Sequence, residues 1–323
     1  MNDESGAGST SAVASGVTLI DSLMGGVPEA TATYLLDAPE PALVETGPTT
    51  SLGPVASALE DIGIAPSDLA HVFVTHIHVD HAGGAGALAE RFPDATIWVH
   101  ERGARHLADP GRLEASATRA FGEEHMSRVF GPILPVPGPR IRSIADGEVV
   151  DLGTRTVTAL YSPGHASHHC YFVDSESGAL FSGDALGISL PGAGLLRPAT
   201  PPSDFDLELA IRSMRLVIDR DPPLVLLSHY GPVQDAVGFC TDAIERVRWW
   251  AGVVEATMEK AEGPEDLVAR LTEQVRAYES ALGVPPEVVA TYDLLSTTAI
   301  NGLGMARYLE QRGARTTDDP TPA

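Results

Sequence analysis

Residues 76–81 read His-Ile-His-Val-Asp-His, which places four metal-donor side chains within six positions. The apolar run His71-Val-Phe-Val-Thr75 precedes them, and Ala82-Gly83-Gly84-Ala85-Gly86 follows. A strand that ends in a glycine turn throws such side chains together at its carboxyl end. Imidazole and carboxylate in one place suit divalent zinc, iron or manganese. The plainer reading is a loop that happens to be rich in histidine, which explains neither the strand before it nor the glycines after it.

A centre of two metals needs more donors, and the chain offers them in the same setting. Tyr161-Ser-Pro-Gly-His165 follows the β-rich run 154–160. Leu180-Phe-Ser-Gly-Asp184 is a short apolar strand, a glycine and a carboxylate. Leu224-Val-Leu-Leu-Ser-His229 repeats the form, and Tyr230-Gly231-Pro232 follows. Taken singly, His165 or His229 reads as an ordinary polar residue. Four strand ends that each deliver His or Asp read as one site.

These motifs resemble the metallo-β-lactamase-fold hydrolases over roughly residues 17–240. The resemblance implies an α+β, four-layer αββα fold. It implies that His76, His78 and His165 hold one metal, that Asp80, His81 and His229 hold the other, and that Asp184 bridges them. Glu45-Thr-Gly47 stands where many members carry Asp-x-Gly, so Glu45 would support the ligand loop, and His169 would stand close behind the ligands. The segment from Trp98 to His106 and the helical tail look similar to an uncharacterised, lactonase-like prokaryotic subgroup. The cofactors implied are two divalent metal ions, zinc first and iron or manganese as alternatives.

Hydroxide held between two divalent ions is a nucleophile at neutral pH, because metal binding lowers the pKa of water from about 15.7 towards 7. Two ions bring four positive charges; Asp80, Asp184 and hydroxide remove three. The residual charge favours an anionic tetrahedral intermediate over a neutral ester. Asp80 is the group that would relay a proton to the leaving atom. Lactonases of this superfamily carry a tyrosine three residues after the bridging Asp, where this chain has Gly187; Tyr230 is the phenol that could replace it. The reading is therefore a hydrolase of a carboxylic ester or lactone, with a thioesterase of the glyoxalase II type as runner-up. Arg102, Arg105 and Arg197 could meet an anionic substrate, although a surface charge is the plainer account of each. His100, His106 and His125 read as ordinary surface or loop histidines. The same ligands could hold iron for redox work, or the fold could persist as a binding protein without catalysis; the complete ligand set speaks against the latter.

The elements that must position these residues follow from patterning. Strands are expected near 16–20, 31–36, 42–45, 72–75, 96–100, 140–144, 148–151, 154–160, 169–173, 179–182 and 224–228, with helices at 52–62, 86–92, 101–107 and 205–218. Residues 111–130 read as a helix or lid. Strands that are mostly antiparallel, alternating with helices, predict two sheets back to back with helices outside. From Val237 a helical appendage is expected at 242–262, 265–282 and 286–313, its apolar face packing on the same protein or a second copy in a homodimer. Residues 1–15 and 316–323 are expected to be disordered tails.

The chain has 323 residues, 43% of them hydrophobic, enough for a large core. Its net charge is −23, and Lys260 is its one lysine among 21 basic residues. Such a surface repels phosphate backbones and anionic membrane faces, which argues against phosphodiesters, nucleic acid and membranes as partners and leaves small esters, lactones or thioesters. The carboxylate excess suits a salt-rich cytoplasm; GC-rich codon usage accounts for Arg over Lys equally well. No apolar run is long enough to cross a membrane, and residues 1–15 lack the form of a secretion signal. Cys170 and Cys240 form no disulfide framework, so a reducing, cytoplasmic setting is expected. Cys170, although near His168 and His169, reads as a buried strand thiol.

Overall fold

The computed structural model describes residues 7–317. These fall into two compact units. The sheet unit comprises the chain as far as Ser162, with His168–Gly183 and Pro222–Ala236; the helical unit comprises Pro163–Ser167, Asp184–Asp221 and the chain from Val237 onward. The helical unit thus groups two inner segments with the C-terminal helices expected from Val237 onward.

Both sheets lie in the sheet unit. The first runs in spatial order through β1 (Thr10–Ala14), β2 (Val17–Asp21), β3 (Ala32–Leu36), β4 (Ala42–Val44), β5 (His71–Phe73), β6 (Thr96–His100) and β7 (Ile141–Ile144). The second runs from β8 (Val149–Asp151) through β9 (Thr156–Tyr161), β10 (Cys170–Asp174), β11 (Leu180–Phe181) and β12 (Val225–Leu227) to β13 (Gly231–Val233). The first sheet is less antiparallel than expected. From β1 to β4 it is a meander, but β4–β5, β5–β6 and β6–β7 are parallel. Parallel neighbours need a crossover, and helix Leu52–Asp61 supplies it between β4 and β5, helix Ala85–Arg91 between β5 and β6. The consequence reaches the site. Parallel β4 and β5 end at the same sheet edge, so Glu45 and Thr75–His81 leave it side by side. The parallel pair β11–β12 does the same for Ser182 and Ser228.

Alternation along β5 builds both cores. Val72 and Val74 face the helix side with Val55, Leu59, Leu88 and Phe92. Phe73 faces the other sheet with Leu19, Tyr34, Phe172, Phe181 and Leu226. Its ring lies 5.2 Å from that of Phe172, and the Tyr34 hydroxyl donates to the Leu227 carbonyl at 2.5 Å, tying sheet to sheet.

Two strands escape pattern reading. β1 occupies part of the expected tail 1–15; the rest of that tail that precedes residue 7, like 318–323 at the other end, lies outside the described residues. What orders the β1–β2 hairpin is distant in sequence. The Arg155 guanidinium donates to the carbonyls of Ser15 and Gly16 at 2.7 and 2.6 Å and pairs with Asp174 at 3.3 Å and Glu176 at 2.5 Å. β13 contains Pro232, which a sheet edge tolerates because no ladder hydrogen bond is lost there.

In the helical unit, Leu207–Arg220 is capped by the Asp206 carboxylate, which accepts from the Leu209 amide at 3.0 Å. Helices Ala236–Met258, Pro264–Ala281, Pro286–Leu295 and Thr298–Thr317 follow, so the stretch expected as one helix from 286 is two, and the last reaches past the expected frayed end at 316. Gly302 lets the last helix press on Pro264–Ala281: a Cβ there would stand 2.6 Å from Leu271 Cδ1. Region 111–130 is helical, Gly111–Phe121 and then short turns beyond Gly122. Among the described residues no helix is long and apolar enough to cross a membrane.

Arg155 and Asp174 are both fully buried side chains. Arg155→Met strands the Asp174 carboxylate, and a loss of about 3–5 kcal/mol is expected, read as a lower urea midpoint; an unchanged midpoint contradicts the clamp.

Candidate metal centre

Glu45 follows β4 in the left-handed backbone region, φ 69°, and is completely buried. Its Oε1 accepts from Thr75 Oγ1 at 2.5 Å, Ser228 Oγ at 3.1 Å and His81 Nδ1 at 3.1 Å, and its Oε2 accepts from the Thr75 amide at 3.3 Å. One carboxylate therefore joins three strand ends. Thr75 spends its hydroxyl proton on Glu45, so its oxygen accepts from His76 Nδ1 at 3.0 Å.

The same logic fixes the other imidazoles. His229 Nδ1 donates to the Ala30 carbonyl at 2.9 Å, with Thr31 Oγ1 at 3.2 Å. A carbonyl can only accept, so the proton sits on Nδ1 and Nε2 keeps its lone pair. His76 and His81, whose Nδ1 atoms serve Thr75 and Glu45, are in the same tautomer.

Those lone pairs converge. His81 Nε2 and His229 Nε2 are 3.2 Å apart, and Asp80 Oδ2 lies 3.7 and 3.4 Å from them. Donors held at roughly 2.0–2.1 Å around a tetrahedral zinc stand about 3.3 Å from one another. His76 Nε2 and His78 Nδ1 face each other at 2.9 Å, a second pair of that spacing. Two imidazole nitrogens gain little from facing one another in their neutral, lone-pair-bearing forms, so this spacing fits donors waiting on a cation. Glu45 too offers an oxygen within 4.8 Å of donor atoms on His76 and His81, but its bonds to Thr75 and Ser228 commit it to bracing.

In the helical unit, His165 Nδ1 donates to the Ala199 carbonyl at 3.0 Å, which leaves Nε2 as the donor atom, 3.6 Å from Asp184 Oδ2. Of the seven ligands expected from the sequence, five thus belong to the sheet unit and two to the helical unit. Tyr230 is half-buried against the inter-sheet core. Burial, and then the charges of Asp21 and Glu29, push its phenol well above the ordinary range, so it remains an O–H donor at neutral pH. Cys170 is a buried strand thiol, pushed up to about 12 by burial.

Some expectations require correction. Arg197 is no surface charge: it is 7% exposed, paired with Glu279 and, at 3.0 Å, with Asp293. His100 is no loop histidine; it is buried in β6, its ring stacked 4.6 Å from Tyr161, and burial lowers its pKa. Arg102 reaches the Tyr161 hydroxyl at 3.3 Å and Arg105 reaches His106 at 3.1 Å. His169 packs beside His76, its Nδ1 2.8 Å from Ser162 Oγ and its ring 5.1 Å from that of His76. Patterning does not single out Thr75 or Ser228. Each is a small hydroxyl residue directly before an expected ligand at a strand end, but only the fold reveals that both point at Glu45.

Residues 26–229 match the metallo-beta-lactamase superfamily. The chain belongs to this superfamily. A hydroxyacylglutathione hydrolase of Synechococcus sp. (strain JA-2-3B'a(2-13)) is 31% identical over 168 residues, 52% of this chain and 53% of the relative. An N-acyl homoserine lactonase of Bacillus thuringiensis is 29% identical over 182 residues, 54% of this chain and 61% of the relative. The chain thus spans about half to two thirds of the length of these curated relatives. Among solved structures, a metallo-beta-lactamase family protein of Thermus thermophilus aligns with a TM-score of 0.65 at 22% identity, over 94% of this chain and 96% of its own. An archaeal superfamily protein of Sulfolobus tokodaii gives 0.61 at 24%, over 72% and 85%. These two likenesses establish the fold: mixed sheets flanked by helices, α+β, with C-terminal helices in addition.

Glu45→Gln keeps the size of the brace and removes its charge. Metal affinity is expected to fall about 10–100-fold, measured by chelator competition, with the thermal transition of the metal-stripped protein little altered; affinity equal to the parent's rejects the bracing role.

Proposed function

We propose that the protein is a dinuclear metal-dependent hydrolase of carboxylic esters or lactones. The observation that carries this reading is the convergence of Asp80 Oδ2, His81 Nε2 and His229 Nε2 within 3.2–3.7 Å, each imidazole held by a partner on Nδ1. In the proposal His76, His78 and His165 would hold one ion and Asp80, His81 and His229 the other, with Asp184 as the ligand they would share. Bound there, two divalent ions, zinc in first place, would supply Lewis acidity and a water ionisable near neutral pH.

The chain's own residues do the rest. The Nδ1 hydrogen bonds hold the rings of His76, His81, His165 and His229, so that little reorganisation is needed when charge develops. The carbonyl carbon gains a water-derived oxygen and loses its bond to the leaving oxygen. Asp80, 13% exposed at its side chain, is placed to pass a proton to that leaving alkoxide. Tyr230, kept neutral by burial, is assigned as hydrogen-bond donor to the substrate. The position three residues after Asp184 cannot serve, for Gly187 has φ 88° and a Cβ there would stand 2.7 Å from the Arg197 carbonyl.

That missing phenol, together with the similarity to a hydroxyacylglutathione hydrolase, favours acyl-thioesters as the second reading; there the leaving group is a thiolate. Phosphodiesters are disfavoured by a net charge of −23. The two buried thiols fit a reducing, cytoplasmic setting, and the C-terminal helices are the proposed homodimer contact.

Purified protein reconstituted with zinc, iron or manganese should turn over members of a panel of lactones, esters and acyl-thioesters, and leave phosphodiesters intact. Turnover of phosphodiesters alone overturns the proposal. Asp80→Asn should lower kcat by about 10²–10⁴-fold, and full activity in that variant removes Asp80 from the proton path. Tyr230→Phe should cost on the order of tenfold in kcat; unchanged kinetics return Tyr230 to a packing role.

A further inference from the structure

A narrow recess in the helical unit has His165 and Asp184 in its wall. Leu196, Pro198, Phe205, Met214 and Val247 make it otherwise apolar, with one cation, Arg246. A groove lined by Trp249, Trp250 and Tyr278 shares Leu196, Pro198 and Arg246 with it. Recess and groove thus share part of their walls, Arg246 included, with His165 and Asp184 lining the recess and exposed Trp249 lining the groove.

Arg246 differs from the other guanidinium of the groove. Arg197 is neutralised by Glu279 and Asp293, and Glu279 is further engaged by Arg276 at 2.9 Å. Arg246 donates to the Tyr278 hydroxyl and lies 5.6 Å from the Tyr278 ring centre. Among the described residues no carboxylate lies within ion-pair reach of it. Half-buried Arg140 also lacks a carboxylate, but its guanidinium is met by the carbonyls of Phe92, Pro93 and Ala95, whereas Arg246 has a phenol and a ring face. A wholly apolar ligand lying here would desolvate that charge without compensation. A ligand carboxylate would meet it in the planar, two-pronged geometry that guanidinium favours.

We propose that Arg246 is the specificity-determining residue of the site, binding a carboxylate on the acyl group of the substrate. The substrate class is an ester or thioester of a dicarboxylic acid. Its scissile carbonyl lies by His165 and Asp184, a short methylene chain fills the recess, and the far carboxylate pairs with Arg246. The recess has room for about one water molecule, so it must widen before the chain can enter. This inference rests on the hydrolase reading for the identity of the carbonyl, but the anion site can be tested apart from turnover.

The test follows Trp249 and Trp250 fluorescence as two probes of equal length are titrated, the monoamide of adipic acid and neutral hexanamide. The metal-loaded protein should bind the carboxylate probe at least about tenfold more tightly, and raising the salt should weaken that probe alone. Arg246→Met should erase the preference, and Arg246→Lys should keep part of it. In the hydrolysis panel, Arg246→Met should raise KM for ω-carboxy thioesters with kcat little changed and leave neutral thioesters unaffected. Equal binding of the two probes by the parent protein, or a preference that survives in Arg246→Met, overturns the proposal. Should that variant not fold, a salt-insensitive preference in the parent overturns it equally. Absence of hydrolysis with an intact probe preference sinks the hydrolase reading and leaves the anion site standing.

Discussion

A single buried carboxylate, that of Glu45, is the constraint on which the donor cluster of the sheet unit depends. Burying that charge is costly unless every lone pair is used, and Glu45 uses them on Thr75, His81 and Ser228. Glu45, the Thr75–His81 turn and Ser228 belong to three chain segments far apart in sequence, so the charge is stable only when β4, β5 and β12 end at one place. The strained φ of Glu45 is tolerated because its neighbours over-determine it. Through Thr75 and His81 it also sets which nitrogen of two imidazoles carries the proton. Fold and ligand chemistry are here one network.

The parallel crossovers explain why this network can form. In a purely antiparallel meander, successive strands end at opposite edges, and Glu45 could not sit beside Thr75. Pairing β4 with β5 and β11 with β12 in parallel sends four chain segments out of the same two edges. The helices that make the crossovers bury Val72 and Val74 on one face while Phe73 fills the space between the sheets. The short β5 is thus held on both faces, which gives the residues after it a rigid base.

Charge divides the arginines into two kinds. Arg155 and Arg197 are buried and matched by carboxylates, so they fasten elements together. Arg246, in the wall shared by a recess and an aromatic groove, has no such match among the described residues, and in the proposal a ligand supplies the anion. Against a strongly negative whole, one such position is enough to decide which acyl groups are welcome.

Legible in the sequence were the donor residues expected as ligands, their order and their placement at strand ends, because metal chemistry admits few residue types and a strand followed by glycine is a local signal. It also determined most strands and helices, whose periodicity is local. It did not reveal β1, which is ordered by Arg155 from far along the chain, nor β13, whose Gly-Pro sequence reads as a turn until an edge accepts it. Nor did it separate Arg197 from Arg246, or mark Thr75 and Ser228, since these residues acquire meaning only from what they face. Proton positions on the imidazoles, the sharing of Glu45 and the pairing state of each arginine were decided by the tertiary structure alone. The physical reason is that each depends on a partner distant in sequence, and a hydrogen bond or ion pair exists only at a few ångströms.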